Sequence, residues 1–330
     1  MAGILILGEI EDGALGSITG ELATAGRSLA AASGDEVAVA LLGDSPEGLA
    51  NDAIAAGADK VYTVADPLLG DGQSDAYLAA FHQVCQQTSP SVVLIGKTEL
   101  GRDLGPRLAF RLGVAVAQDC VDLSVDESTG RISAVRPVYG GNAMARVTFQ
   151  GDDVQIAVVR PKTTEAAEPD AGRTGDIQAL SVELDSSVIK SRRTDTVTQA
   201  AEGVRLEDAT VVVGGGRGMG GEEPFGTLAG LASTLGGAMG ASRAACDAGW
   251  LDHSYQVGLT GKTITPDLYI TVAISGASQH MAGCSGAKHV IAINRDQDAN
   301  IFKSCSYGVV GDWNNVLPAF IETVNELINS

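Results

Sequence analysis

Basic residues are scarce. The 330-residue chain carries 22 Lys and Arg against 41 Asp and Glu, a formal net charge of -19. That balance excludes nucleic acid and anionic membrane as partners. The acidic surplus fits docking on a basic patch elsewhere, or simple solubility, including a salty habitat. Cys85, Cys120, Cys246, Cys284 and Cys305 show no CxxC spacing and are odd in number. A disulfide framework is therefore not expected, and packed thiols in a reducing cytosol are. The four histidines form no HxH or HExxH pair, so no zinc site is expected. No apolar run is long enough to span a bilayer. The N-terminus has neither the basic start of a secretory signal nor the Arg and Ser of a transit peptide. The expected location is cytoplasmic. No Ser-His-Asp order, paired carboxylates or nucleophile elbow stands out, so catalytic acids and nucleophiles are not expected.

Glycine is plentiful, at 42 residues, and aromatics make up only 4%. The pairing suits close helix–strand packing in an α/β fold. Through the first hundred residues, strands at Gly3–Gly8, Val37–Leu42, Val61–Val64 and Ser91–Gly96 alternate with helices at Ser17–Ser33, Pro46–Ala56, Ser74–Gln87 and Leu100–Leu112. Short continuous apolar strands in alternation with helices predict a parallel sheet covered on both faces. From Asp119 the pattern changes. Cys120–Val125, Ile132–Pro137, Ala143–Phe149 and Val154–Val159 read as an antiparallel addition to the same domain. Residues 163–205 begin acidic and poor in large apolar side chains, and read as a surface loop or linker. The expected organisation is an N-terminal α/β domain over 1–200 and a Rossmann-like domain over 206–330.

The most informative stretch is Pro266–Gly283. It reads as a buried strand that stops at Ser275-Gly-Ala277 and restarts as a helix carrying Ser278, Gln279 and His280. A strand running into a small-residue turn leaves free N–H groups at the helix start, where a phosphate is well held. Gly216-Arg-Gly-Met-Gly-Gly221 is a formal GxGxxG match between a strand and a helix, but no acid stands about twenty residues on to hold a ribose. Arg217 within it suits bidentate contact with a pyrophosphate. Ser242 and Arg243 follow another short strand, and Gln256-Val-Gly-Leu-Thr-Gly-Lys262 adds a glycine loop without P-loop spacing. Together these groups outline a dinucleotide clamp.

The same residues carry a resemblance. Gly215-Gly-Arg-Gly-Met219, Gly240-Ala-Ser-Arg-Ala-Ala245, Gln256–Thr263, Pro266–Gly283, Asn294 and Asp312 closely resemble the α subunit of electron transfer flavoproteins. The first domain resembles it at Leu100–Arg107 and Arg136–Asn142, so the likeness runs nearly end to end. The resemblance implies a heterodimer with a β subunit, to whose interface the N-terminal domain contributes. It implies FAD held mainly by the second domain, and AMP or a second FAD in β. Carried over by position, Arg217, Ser242 and Arg243 line the FAD. Gln256, Val257, Gly258, Leu259 and Thr260 approach the isoalloxazine, with Thr260 facing N5. Ser275, Gly276, Ala277, Ser278, Gln279 and His280 hold the pyrophosphate, the ribityl chain and the C2 carbonyl. Asn294 and Asp312 lie on the adenosine side. Arg243, Thr260 and His280 are the expected redox-tuning residues, since cationic or donor groups near N1 and the C2 oxygen favour negative charge on a reduced flavin. Ser278 departs from the family where an aliphatic residue is commoner, as does Ser304-Cys-Ser306 where an Asp more often precedes Tyr307-Gly308.

The resemblance implies an electron carrier, taking electrons from acyl-CoA-type or related flavin dehydrogenases to a quinone oxidoreductase or other acceptor. The alternative is the α subunit of an electron-bifurcating flavoprotein that oxidises NADH through a second FAD in β. A nucleotide-binding protein without redox function is disfavoured by the intact set of Arg217, Ser242, Arg243, Thr260 and His280.

Overall fold

A computed structural model describes residues 2–70, 72–139, 143–191 and 204–328. They form two compact units, one of residues 2–138 and 144–191, the other of residues 204–328 together with Tyr139 and Ala143.

The first unit is built on a seven-stranded sheet. Its spatial order is Asp176–Ala179, Lys60–Ala65, Val37–Gly43, Ala2–Gly8, Pro90–Gly96, Gln155–Val159, Val116–Cys120, and every pairing is parallel. Residues alternate faces along a strand, so a strand covered on both sides must be apolar throughout. Ile4 and Ile6 accordingly pack with Ile18, Leu22 and Leu29 on one face. Leu5 and Leu7 pack with Leu78, Phe81, Leu104 and Leu108 on the other. The helices Ser17–Ser33, Ser74–Thr88 and Glu99–Leu112 supply those partners. The Thr98 hydroxyl caps the last of them by accepting from Gly101 N at 3.0 Å.

Two expectations are corrected here. Among the described residues, Asp122–Val125 pairs antiparallel with Ile132–Val138, and Ala143–Thr148 joins them in a separate three-stranded sheet. Gln155–Val159 instead enters the main sheet between Pro90–Gly96 and Val116–Cys120, parallel to both. All five of its residues are buried, as a central strand requires. The acidic segment is not a free linker over its whole length. Asp176–Ala179 adds an edge strand to Lys60–Ala65. Its chain then lies along the helix Ser74–Thr88, where Gln83 and Gln87 donate to the carbonyls of Glu183 and Ser181 at 2.8 and 2.9 Å. All four residues of that strand are exposed, so it carries no apolar signal. The rest of the proposed linker, 192–203, and residues 140–142 of the Arg136–Asn142 motif lie outside the described residues.

The second unit holds a six-stranded parallel sheet. Its spatial order is Gln256–Val257, Ala238–Ser242, Val211–Gly215, Leu268–Val272, His289–Asn294, Tyr307–Val310. In chain order that is third, second, first, fourth, fifth, sixth, the doubly wound Rossmann arrangement. The order reverses between Val211–Gly215 and Leu268–Val272, and a crevice must open beyond the carboxyl ends of those two strands. Among the described residues no helix is long and apolar enough to cross a membrane. No cluster of three or more His, Cys, Asp or Glu there could hold a metal, and all five cysteines are free thiols.

Candidate functional site

A cavity of about 880 Å³ occupies that crevice. Each loop lining it leaves the carboxyl end of a strand. After Val211–Gly215 the chain turns at Gly216, where a Cβ would lie 2.0 Å from the Ala273 carbonyl oxygen. Two backbones are thus in direct contact, which only glycine allows. Ala273 itself sits in the left-handed region, at φ 55°, and so ends the strand Leu268–Val272 under strain. The next turn is anchored from the neighbouring strand's loop. Asn294 Nδ2 donates to the Ile274 carbonyl at 2.9 Å, and Ile301 N donates to the Ser275 carbonyl at 3.1 Å. Gly276, at φ 75°, lets the chain pass beside Ile301, and the single helical turn Ser278–Met281 follows.

The loop 256–262 closes on itself. Gly258 N donates to the Lys262 carbonyl, and Lys262 N donates to the Gln256 carbonyl. Gln256 Nε2 donates to Thr260 Oγ1 at 3.0 Å, while its Oε1 pairs with His253 Nδ1 at 3.0 Å. That leaves Leu259 39% exposed, an apolar side chain held open at the cavity.

Most of the residues singled out in the sequence converge here. Arg217, Ser242, Arg243, Gln256, Val257, Gly258, Leu259, Thr260, Ser275, Ala277, Gln279, His280 and Asn294 all line the cavity. Three do not. Gly276 serves the turn beneath it, and Ser278 is half-buried, bonded to Gln279 Oε1. Asp312 lines a separate cavity of about 250 Å³ with Asn294, Arg295 and Trp313. Its carboxylate accepts from Asn314 N and Nδ2, and these bonds hold it below the usual carboxylate range. Asn294 lines both cavities, but its carboxamide is already engaged by Ile274 and Asp296.

Asp247, Arg295 and Asp296 also line the larger cavity and were not anticipated. Asp247 pairs with Arg243 at 3.2 Å across one helical turn, so the i,i+4 spacing was the available signal. Arg295 follows directly on the strand His289–Asn294, a carboxyl-end position like that of Arg243.

His280 is deeply buried, which decides its charge. The side chain is 7% exposed, and burial lowers its pKa to about 4, with the Val257 backbone opposing. The ring is therefore neutral at pH 7. Its Nε2 lies 2.9 Å from Tyr269 Oη, and its buried Nδ1 has no hydrogen-bond partner among the described residues. Burying a polar atom without a partner costs roughly 1–3 kcal/mol, which a ligand group placed against it would recover.

Residues 4–185 match the electron transfer flavoprotein domain, and residues 205–285 match the electron transfer flavoprotein FAD-binding domain. The chain is 43% identical over 326 residues to the electron transfer flavoprotein subunit alpha of Megasphaera elsdenii, covering 98% of this chain and 96% of that one. The chain belongs to the electron transfer flavoprotein α-subunit family. A Bacillus subtilis subunit alpha of the same name is 42% identical over 325 residues, with 98% of both chains covered. Protein FixB of Azotobacter vinelandii is 36% identical over 326 residues, covering 95% of this chain and 88% of that one.

For a member of this family the cavity suits the FAD that its second matched domain is named for. Its volume lies within the roughly 300–1,000 Å³ of cofactor sites. Glycine at 216 and 258 lets the lining backbones pack against Ala273 and Gln279, three arginines offer counter-charge for phosphates, and His280 Nδ1, with no hydrogen-bond partner among the described residues, offers a polar contact.

Proposed function

We propose that the chain is the FAD-holding α subunit of a heterodimeric electron carrier. The observation that carries this is the switch-point cavity, lined by Arg217, Arg243, Arg295 and His280, whose buried Nδ1 has no hydrogen-bond partner among the described residues.

Within it Arg217, Ser242 and Arg243 hold the cofactor's polar flank, and the loop from Gln256 to Thr260 lies along the isoalloxazine. Ser275, Gly276, Ala277, Ser278, Gln279 and His280 meet the pyrophosphate, the ribityl chain and the pyrimidine end of the ring. Asn294 and Asp312 lie on the adenosine side, with Asn294 acting through the turn it braces and not through a free carboxamide. Bound FAD supplies one-electron redox chemistry. The protein sets its binding, its exposure and the local charge. Arg243 carries fixed positive charge moderated by Asp247, Thr260 is held by Gln256, and His280 contributes a neutral ring.

A β subunit carrying AMP or a second FAD completes the protein, with the N-terminal unit contributing to the interface. Acyl-CoA-type or related flavin dehydrogenases, as in fatty acid β-oxidation, are the donors, and a quinone oxidoreductase or other acceptor receives the electrons. A cytoplasmic location fits the free thiols. The test is an anaerobic titration of the heterodimer purified with its β chain. Flavin absorbance should survive NADH and bleach on addition of a reduced donor dehydrogenase. Bleaching by NADH alone would replace the simple carrier by the bifurcating alternative, and a colourless preparation despite added FAD would end both.

A further inference from the structure

Tyr269 is completely buried on the strand Leu268–Val272. The neighbouring strand makes room for its hydroxyl. A Cβ at Gly214 would lie 2.5 Å from Tyr269 Oη, so a side chain there is excluded by the phenol. The hydroxyl has one partner among the described residues, His280 Nε2 at 2.9 Å. The two rings lie 6.0 Å apart, inclined by 24°. Phenylalanine would fill this apolar position as well, so the hydroxyl exists for the histidine.

The hydrogen inventory fixes which atom donates. Burial holds the Tyr269 pKa well above that of a free phenol, so Oη keeps its hydrogen. Were Nε2 also protonated, it would donate to Oη, leaving the phenol hydrogen without an acceptor and the bare Nδ1 without a donor among the described residues. The reverse arrangement leaves only Nδ1–H unmet, a difference of one buried polar atom worth roughly 1–3 kcal/mol. With the phenol donating, Nε2 is the bare nitrogen and the neutral ring carries its proton on Nδ1. Nδ1 is the atom that has no hydrogen-bond partner among the described residues, on a residue that lines the cavity.

We propose that Tyr269 is a positioning residue that locks His280 in its Nδ1–H tautomer, so that the ring presents a fixed donor, and not an acceptor, to the cofactor cavity. The group set against it must then be an acceptor, a carbonyl oxygen or a ring nitrogen with a free lone pair, and an N–H edge is rejected. The identity of that group rests on the FAD reading above. The tautomer does not, because it is a property of the chain without its cofactor.

The experiment is ¹⁵N-histidine NMR of the full chain with its β subunit, before and after FAD removal, with His280 assigned by the signal lost in His280→Gln. The cofactor-free wild type should show Nδ1 in the protonated range and Nε2 in the unprotonated range. Tyr269→Phe should shift both toward the Nε2–H form. It should also raise the FAD dissociation constant roughly three- to tenfold, the worth of one ordinary hydrogen bond, and lower the flavin midpoint potential. Protonated Nε2 in the wild type, or identical spectra in Tyr269→Phe, would overturn the assignment. If that variant fails to fold, the wild-type spectrum alone decides the tautomer. A wild type that takes up no FAD but shows Nδ1–H would sink the cofactor reading and leave this one standing.

Discussion

Leu259 N donates to the Gln279 carbonyl at 2.7 Å, tying the loop 256–262 to the helical turn that carries His280. Ile264 N repeats the tie at the Gly283 carbonyl, also at 2.7 Å. The two segments can approach this closely because glycine stands on both sides. A Cβ at Gly283 would fall 2.5 Å from Gly258 Cα.

Gly283→Ala should therefore wedge the loop away from the turn. Forcing a methyl into a packed site costs roughly 1–3 kcal/mol. If the displacement reaches Val257–Thr260, FAD affinity should fall by about tenfold, the equivalent of 1.4 kcal/mol. Isothermal titration of cofactor-stripped protein measures it. Unchanged affinity with a lowered melting temperature would show that the tie stabilises the fold without shaping the site.

Arg217→Ala tests the cationic flank. Arg217 is exposed at the mouth of the cavity, in the turn after the strand Val211–Gly215. Charge-assisted contact with a phosphate is worth roughly 1.5–3 kcal/mol, so FAD retention should weaken by about ten- to a hundredfold. Full occupancy after extensive dialysis would count against a phosphate contact at this residue.

The sequence made the second unit the more legible of the two. Its strands are short apolar runs, each ending in a small-residue loop, and a parallel sheet collects such ends on one edge. The same logic brought Arg217, Ser242, Thr260 and His280 together before any coordinates. The neutrality of His280 was not legible, because sequence shows a residue type and not the burial that neutralises it. Gln155–Val159 was misplaced because thirty-odd residues of antiparallel hairpin separate it from its sheet partner Val116–Cys120, and neighbours in sequence suggested a hairpin. Asp176–Ala179 was invisible as a strand because an exposed edge needs only backbone pairing.

Asp119 is the anchor of a buried charge cluster in the first unit. Its two oxygens take Arg160 Nε and a terminal guanidinium nitrogen, each at 2.9 Å, and Lys97 Nζ lies 2.7 Å away. Burial opposes ionisation there, but the two cations outweigh it and hold the carboxyl below its usual range. Asp119→Asn retains a residue that tolerates φ 61° and removes only the charge. Removing the negative charge held between Arg160 and Lys97 should cost up to roughly 3–5 kcal/mol, read by denaturant unfolding of the first unit. FAD affinity should stay as in the wild type. A loss below about 1 kcal/mol would mean that water replaces the carboxylate.

Glu9 adds a pH dependence of known sign to the first unit. It is 7% exposed at the end of the strand Ala2–Gly8, and its Oε1 has the Thr98 hydroxyl as a donor at 2.8 Å. Burial raises its pKa from 4.5 to about 7, against the Thr98 bond and helped by Glu11. Between those values the folded chain keeps a proton that the unfolded chain has released. The contribution of Glu9 to the stability of the first unit must therefore fall as pH rises through this window and level off above it, while His280 in the second unit, its pKa lowered, contributes in the opposite sense below pH 6.5. A shift of that size is worth roughly 3 kcal/mol at most. Glu9→Gln keeps an acceptor for Thr98 and cannot ionise, so its stability should not carry this slope. Relative to the wild type, the variant should gain about 2–3 kcal/mol between pH 4.5 and pH 8. Parallel stability curves for the two proteins across that range would show that Glu9 is solvated well enough to ionise normally.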